Sequence, residues 1–139
     1  MREILFRGKR VDNGEWVYGF LCKTYSPMNP KTRDAIMHSN LENGYPEYSC
    51  AEINVATVGQ YTGLTDKNGK RIFEGDIISV ARAESSGIFS VRFIERYAAF
   101  GLYDDQSEQY IDMFHSLSGL YTIIGNIHDN PELLKGEGK

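Results

Sequence analysis

The side chains that most often bind metal ions or act as nucleophiles are few in this sequence and widely spaced. The histidines stand alone and form no H-E-x-x-H motif; they are His38, His115 and His128. The cysteines, Cys22 and Cys50, have no C-x-x-C partner. A zinc site would require both cysteines and His38 to converge from distant segments, which the spacing does not support. We therefore predict no metal site.

The acidic residues offer two further patterns. Residues 66–69 resemble the start of a calcium loop, but their glycine comes at the fourth position and not the sixth, so a β-turn explains them. A carboxylate cluster suits acid–base or metal chemistry, but no second catalytic element accompanies it, which favours a solvated face; it comprises Asp104, Asp105, Glu108 and Asp112. There is no phosphate-binding glycine loop and no G-x-S-x-G motif. We expect no catalytic residue, no cofactor and no enzymatic activity.

Two features point to binding, the basic residues and the irregular segment 23–50, which is a natural contact for a partner protein. The basic residues cluster on the first predicted hairpin and recur on later strands, and the set is Arg7, Lys9, Arg10, Arg92 and Arg96. On a small β-barrel, cations and aromatic rings on one face can bind single-stranded nucleic acid. An ordinary mixed surface is the simpler interpretation. The formal net charge of -4 also counts against non-specific binding to phosphate.

Length and composition describe a globular domain. The chain has 139 residues, of which 41% are hydrophobic and 24% charged, so it can bury a core without a metal or a disulfide. No apolar run reaches the length of a membrane span, and the N-terminus lacks the pattern of a signal peptide. Two cysteines in such a chain are more often reduced thiols than a disulfide. We expect a cytoplasmic protein with no membrane partner.

The elements that must position these residues are mostly strands. Residues 2–22 predict a hairpin whose turn contains Asn13-Gly14. Residues 23–50 hold three of the four prolines and predict an irregular loop, either a binding loop, a flap or an insertion. Alternating and β-branched runs then predict short strands at 51–64, 77–80, 89–94, 98–103 and 121–127.

Two segments near the end read differently. Residues 105–117 are ambiguous, because Tyr110, Met113, Phe114 and Leu117 follow helical spacing while a strand and a short turn fit equally. Residues 130–134 predict a short C-terminal helix, in which an asparagine caps and a proline takes the first turn. The sum is a mainly β chain with minor helix.

Two long motifs carry a resemblance to a known family. Residues 61–77 read YTGLTDKNGKRIFEGDI and residues 123–134 read IIGNIHDNPELL, and the chain opens with ILFRG at residues 4–8. These resemble the signature, ending and start of the YopX family of phage and prophage proteins; residues 23–50 match nothing in it. The resemblance implies a phage or prophage origin and an SH3-like β-roll in the C-terminal part. It also favours a strand and a short turn at 105–117.

The sequence and the resemblance together define the predicted organisation. We expect one compact unit, 1–139, with an N-terminal β-hairpin region (1–56) that includes the irregular loop 23–50, and an SH3-like barrel (57–139) that ends in a short helix. The expected function is a non-catalytic phage accessory protein that binds a host or phage protein. The alternative is a nucleic-acid-binding module in phage replication or expression. Self-association is also open, since exposed edge strands invite pairing.

Overall fold

The computed structural model describes residues 2–42, 45–81, 87–112 and 120–135, and within them the chain is antiparallel β-structure. It divides into two compact units, unit 1 (residues 1–61) and unit 2 (residues 62–139). The sequence placed the internal boundary five residues earlier, after residue 56. In the described part of the chain, no helix has the length and apolarity that a membrane crossing requires.

The described residues of unit 1 form four strands. They are β1 (Phe6–Arg10), β2 (Trp16–Ser26), β3 (Asn29–Glu42) and β4 (Tyr45–Thr65). Each strand pairs antiparallel with the next, and β1 also pairs with β4, so the hydrogen bonds close a circuit. A cluster of buried hydrophobic side chains forms the core of this unit, with Phe6 and Val58 packed against it; the cluster is Val17, Ile36, Ala51 and Ile53.

The predicted first hairpin is confirmed. β1 and β2 flank residues 11–15, where Gly14 adopts a φ of 73° and its N–H donates to the Arg10 carbonyl at 3.0 Å. Only glycine takes such a φ without steric cost, which explains why Asn13-Gly14 makes the turn.

The predicted irregular loop at 23–50 is wrong. The described residues of the segment are β-structure, because β2 continues to Ser26, β3 covers Asn29–Glu42 and β4 begins at Tyr45. Its prolines lie at the tip between β2 and β3 and near the starts of β3 and β4, where a missing N–H is tolerated. The polar residues that suggested a loop lie on strands that are solvated over much of their length. Among the residues of this segment whose side chains are described, Ala35 and Ile36 at its centre are fully buried.

In its described residues, unit 2 contains the last residues of β4 and six further strands. They are β5 (Arg71–Phe73), β6 (Asp76–Val80), β7 (Gly87–Ile94), β8 (Ala99–Asp104), β9 (Gln109–Asp112) and β10 (Tyr121–Asn126). β5 lies beside β4, and the other five form a sheet in the order β10-β6-β7-β8-β9. The strands predicted in this region are confirmed. The core of the unit comprises Ile72, Ile78, Val80, Val91, Leu102 and Tyr121.

The ambiguous segment 105–117 and the predicted helix at 130–134 differ in outcome. Residues 109–112 are strand β9, paired with β8, so the helical interpretation is wrong there; residues 113–117 lie outside the described part of the chain. The short C-terminal helix is a single 3₁₀ turn at Pro131–Leu134. Asn130 does not cap that turn, because its side-chain oxygen instead accepts the Asn126 N–H at 3.2 Å and closes the preceding bend.

The turn at 66–70 is organised by one buried carboxylate. Asp66 is 4% exposed, and its Oδ1 accepts the N–H groups of Asn68 and Lys70, each at 2.9 Å. Its Oδ2 accepts the N–H of Ile123 on β10 at 3.1 Å. Burial would raise the pKa of Asp66, but these backbone donors and the charge of Lys70 together lower it below its ordinary value. The carboxylate therefore ties the turn to β10.

The other motif residues have similar structural roles. Gly75 has a φ of 94°, and Asp76 accepts the Phe73 N–H at 2.7 Å inside the bend between β5 and β6. In the terminal motif, Asn126 Oδ1 accepts the N–H groups of His128 and Asp129. Both long motifs therefore encode bends and inter-strand hydrogen bonds.

Candidate interaction surfaces

The cations of β1 lie against a tryptophan. The Arg7 guanidinium stacks 4.6 Å from the centre of the Trp16 ring, and the Lys9 ammonium lies 5.5 Å from it. Arg7 is only 6% exposed, so its charge is not presented to solvent. These contacts are cation–π interactions that fix the first hairpin.

Arg10 is engaged by a neighbouring carboxylate. Its Nε and Nη2 donate to the two oxygens of Asp12, each at 2.9 Å. This bidentate pair raises the pKa of Arg10 and lowers the pKa of Asp12, in both cases chiefly through the hydrogen bonds between them. A phosphate would have to compete with Asp12 for this guanidinium.

Arg92 is part of a network on β7 and β8. Its Nε donates to Ser90 Oγ at 3.1 Å, its Nη2 lies 3.4 Å from Asp105 Oδ2, and its guanidinium stacks 4.1 Å from the Tyr103 ring centre. Ser90 Oγ in turn donates to Asp105 Oδ1 at 3.1 Å. The pKa of Tyr103 is raised, chiefly by burial and secondly by the negative charge of Glu108. The network attaches the 104–106 turn to the sheet.

The five predicted cations are therefore divided between the units. Arg7, Lys9 and Arg10 belong to unit 1, whereas Arg92 and Arg96 belong to unit 2. Arg96 is exposed and lies over Tyr97, 4.9 Å from the ring centre. It borders an open groove of about 1390 Å³ whose lining includes Phe93, Tyr97, Glu108, Tyr110 and Ile111.

Two members of the carboxylate cluster, Asp104 and Asp105, make hydrogen bonds that hold the structure around them. Asp104 accepts the Gln106 N–H and the Ser107 hydroxyl, each at 2.9 Å, and these bonds lower its pKa. A lowered pKa is the wrong direction for a general acid at neutral pH. Asp105 is bound to Ser90 and Arg92 as described above. Asp104 and Asp105 line a hollow of about 500 Å³ whose walls also include Ile88 and Leu133.

Exposed aromatic side chains lie on β2 and β4, on either side of Met37 of β3. Phe20 pairs with Met37, which pairs with Cys50, and Tyr48 lies two residues before Cys50 on β4. Directly paired residues, and residues two apart on a strand, point to the same face of a sheet. Tyr18, Phe20 and Tyr48 are 47%, 54% and 66% exposed. We call this surface the aromatic face, defined by Tyr18, Phe20, Met37 and Tyr48.

The two cysteines also meet on this face. Both are free thiols, Cys22 half-buried and Cys50 exposed. The pKa of Cys22 is raised, chiefly by burial and also by an interaction with the Cys50 thiol. A backbone hydrogen bond from Met37 lowers this pKa by a smaller amount. His38 neighbours Met37 on β3 and therefore points to the opposite face. In the described residues no three His, Cys, Asp or Glu side chains converge, so the zinc triad is not assembled there.

Sequence reasoning missed the aromatic face, although a signal was present. Trp16, Tyr18 and Phe20 alternate along the second strand of the predicted hairpin, and in the structure Tyr18 and Phe20 are exposed. The contribution of β3 and β4 was hidden because residues 23–50 were interpreted as a loop.

Comparison with known proteins identifies the chain's relatives. The family model described as YopX protein matches residues 5–135. Among solved structures, protein EF1440 from Enterococcus faecalis is similar, with a TM-score of 0.59 and 23% sequence identity, over 97% of this chain and 100% of that chain. At this identity the likeness shows the fold alone. No curated protein matches.

Proposed function

The chain belongs to the YopX family, and we propose that it is a non-catalytic protein-interaction module, a phage or prophage accessory protein that binds a host or phage protein through its aromatic face. Within this proposal the protein acts in the cytoplasm of a bacterial host, a reducing compartment that suits its free thiols. We also propose that unit 2 is an SH3-like β-roll, since it is a small antiparallel sheet with short connections.

The observation that supports this function is the grouping of Tyr18, Phe20 and Tyr48 on one face, each about half exposed or more. Aromatic side chains are enriched among the residues that contribute most to protein–protein affinity. Their rings bury a large apolar area while losing little conformational entropy. Exposed single hydrophobic residues are common, but a contiguous apolar group on one sheet face is typical of an interaction site.

The test begins by identifying the partner. A photo-crosslinking amino acid at position 20 in the full-length protein, used in bacterial lysate, labels whatever binds the face. The purified partner is then titrated by calorimetry with the wild type and with Phe20→Ser and Tyr48→Ser. Loss of a central aromatic contact should weaken binding by about 10-fold or more, equivalent to about 1.4 kcal/mol or more.

The matched control is Tyr25→Ser, which removes an exposed tyrosine (63% exposed) of the same strand outside the aromatic face. The control should bind as the wild type does. Equal affinity for the wild type, Phe20→Ser and Tyr48→Ser would reject the aromatic face as the interface. Crosslinking of a second copy of this chain would replace the heterologous partner by a homodimer.

A second candidate function is single-stranded nucleic-acid binding in the groove of unit 2. The exposed Arg96 stacks on Tyr97 beside Phe93 and Tyr110, the combination of cation and aromatic rings that such binding uses. Fluorescence anisotropy of labelled single-stranded DNA, duplex DNA and RNA at low and physiological salt tests it. Binding that falls with salt and weakens in Arg96→Ala supports this candidate; no binding at low salt rejects it.

A further inference from the structure

Three sulfur atoms project from the same face of unit 1. Cys50 pairs directly with Met37 across β3 and β4, and Cys22 pairs with Ala35, two residues before Met37 on β3. Pairing and alternation place all three side chains on one face. Both thiols are free, and Cys50 is exposed, so the group is accessible from solvent. These are the only cysteines in the chain.

The register does not favour a disulfide between them. Cys22 and Cys50 lie on strands separated by β3, and each step between neighbouring strands is about 4.8 Å. The two cysteines are also offset by two residues along β3, so their Cα atoms are separated by roughly 9 Å or more, beyond the limit of about 7 Å for a disulfide, although the two thiols are close enough to interact. A metal ion between two thiolates bridges a longer gap, because two metal–sulfur bonds of about 2.3 Å, the zinc–thiolate value, replace one sulfur–sulfur bond of about 2 Å.

We propose that Cys22, Cys50 and Met37 form a binding site for a soft, thiophilic metal ion, of which Cu(I) is the type. Thiolates and thioethers are the ligands that select Cu(I) over harder cations. The two cysteines supply the thiolates, and the Met37 thioether, paired with Cys50, supplies a weaker third ligand. Binding releases the two thiol protons, so the complex carries one net negative charge. The site shares Met37 with the aromatic face, but the proposal does not require that a protein partner binds there.

The direct test is an anaerobic titration of the reduced full-length protein with Cu(I), in competition with a chromophoric Cu(I) chelator. We expect one ion per chain and a thiolate-to-copper charge-transfer absorption in the ultraviolet. Cys22→Ser and Cys50→Ser should each weaken binding by about 100-fold. Met37→Leu should weaken it by about 10-fold, at the lower end of the effect of removing a supporting contact.

Two controls separate a built site from generic sulfur chemistry. Met28→Leu removes a thioether at the β2–β3 turn, 94% exposed and outside the site, and should leave Cu(I) affinity unchanged. Circular dichroism of each metal-free variant checks that the fold persists. If Cys22→Ser, which keeps the exposed Cys50, binds Cu(I) as tightly as the wild type, the proposal is overturned. One ion per two chains would also overturn it, because the thiols would then bridge molecules.

Discussion

Replacing Asp66 tests whether the family signature is a structural motif. Its carboxylate accepts three backbone N–H groups, from Asn68 and Lys70 in its own turn and from Ile123 on β10. A hydrogen bond to a charged group contributes about 1.5–3 kcal/mol to stability, and bonds that share one acceptor are not additive. We therefore expect Asp66→Ala to lower the free energy of unfolding by about 3–5 kcal/mol, a large part of the usual 5–15 kcal/mol.

Asp66→Asn divides this effect between the turn and the sheet. An asparagine oxygen can still accept the Asn68 and Lys70 amides, but its NH₂ group would face the Ile123 N–H, which donates and does not accept. The expected loss is about 1–3 kcal/mol, which is the cost of one buried donor without a partner. Faster hydrogen exchange at the Ile123 amide, with slow exchange preserved at the Lys70 amide, would show that the loss of stability comes from the contact with β10.

The measurement is urea unfolding followed by circular dichroism, with Asp12→Asn as the control. Asp12 is an exposed carboxylate paired with Arg10, so its replacement should change stability little. If Asp66→Ala unfolds within about 1 kcal/mol of the wild type, the three hydrogen bonds do not stabilise the fold as argued.

Two further predictions concern acid and the β2–β3 contact. The pKa values of Asp66 and Asp104 are lowered on folding from 3.8. The two carboxylates therefore stabilise the fold above about pH 4, and this stabilisation is lost as the pH falls through their folded pKa values. In urea unfolding at a series of pH values, Asp66→Asn should lose less stability with acid than the wild type does. A methyl group at Gly19 would overlap the Met37 carbonyl oxygen, so Gly19→Ala should cost about 3 kcal/mol, measured by fluorescence of the single tryptophan. Gly14→Ala, at a φ of 73° in open space, should cost only about 1 kcal/mol.

The parts of the fold predicted from sequence are those determined by local chemistry. Gly14 and Gly69 supply positive φ at turns, and the β-branched run at Ile77–Val80 forms the buried strand β6. Residues 23–50 were misjudged because local composition resembles a loop, whereas the segment is held by pairing with strands on both sides. That pairing depends on partners distant in sequence. The same limitation applies to Asn130, which fits a helix cap locally but bonds back to Asn126.

The candidate surfaces were harder to predict than the fold. Cations were selected by type, but their availability depends on neighbours such as Trp16 for Arg7 and Asp105 for Arg92. The aromatic face and the sulfur group each require the β2–β3–β4 register, which becomes visible only when 23–50 is known to be strand. Side chains that act together across paired strands leave no motif in a single sequence.

Membership of the YopX family therefore does not specify a partner. The family motifs contain Asp66, Gly75 and Asn126. These residues form bends and inter-strand hydrogen bonds. The aromatic face and both cysteines lie outside the motifs at 4–8, 61–77 and 123–134. A protein can keep those motifs, and hence the fold, while its exposed β2–β4 side chains change freely. The binding activity should accordingly be sought on that face, and variants of the motif residues should report on stability and not on affinity.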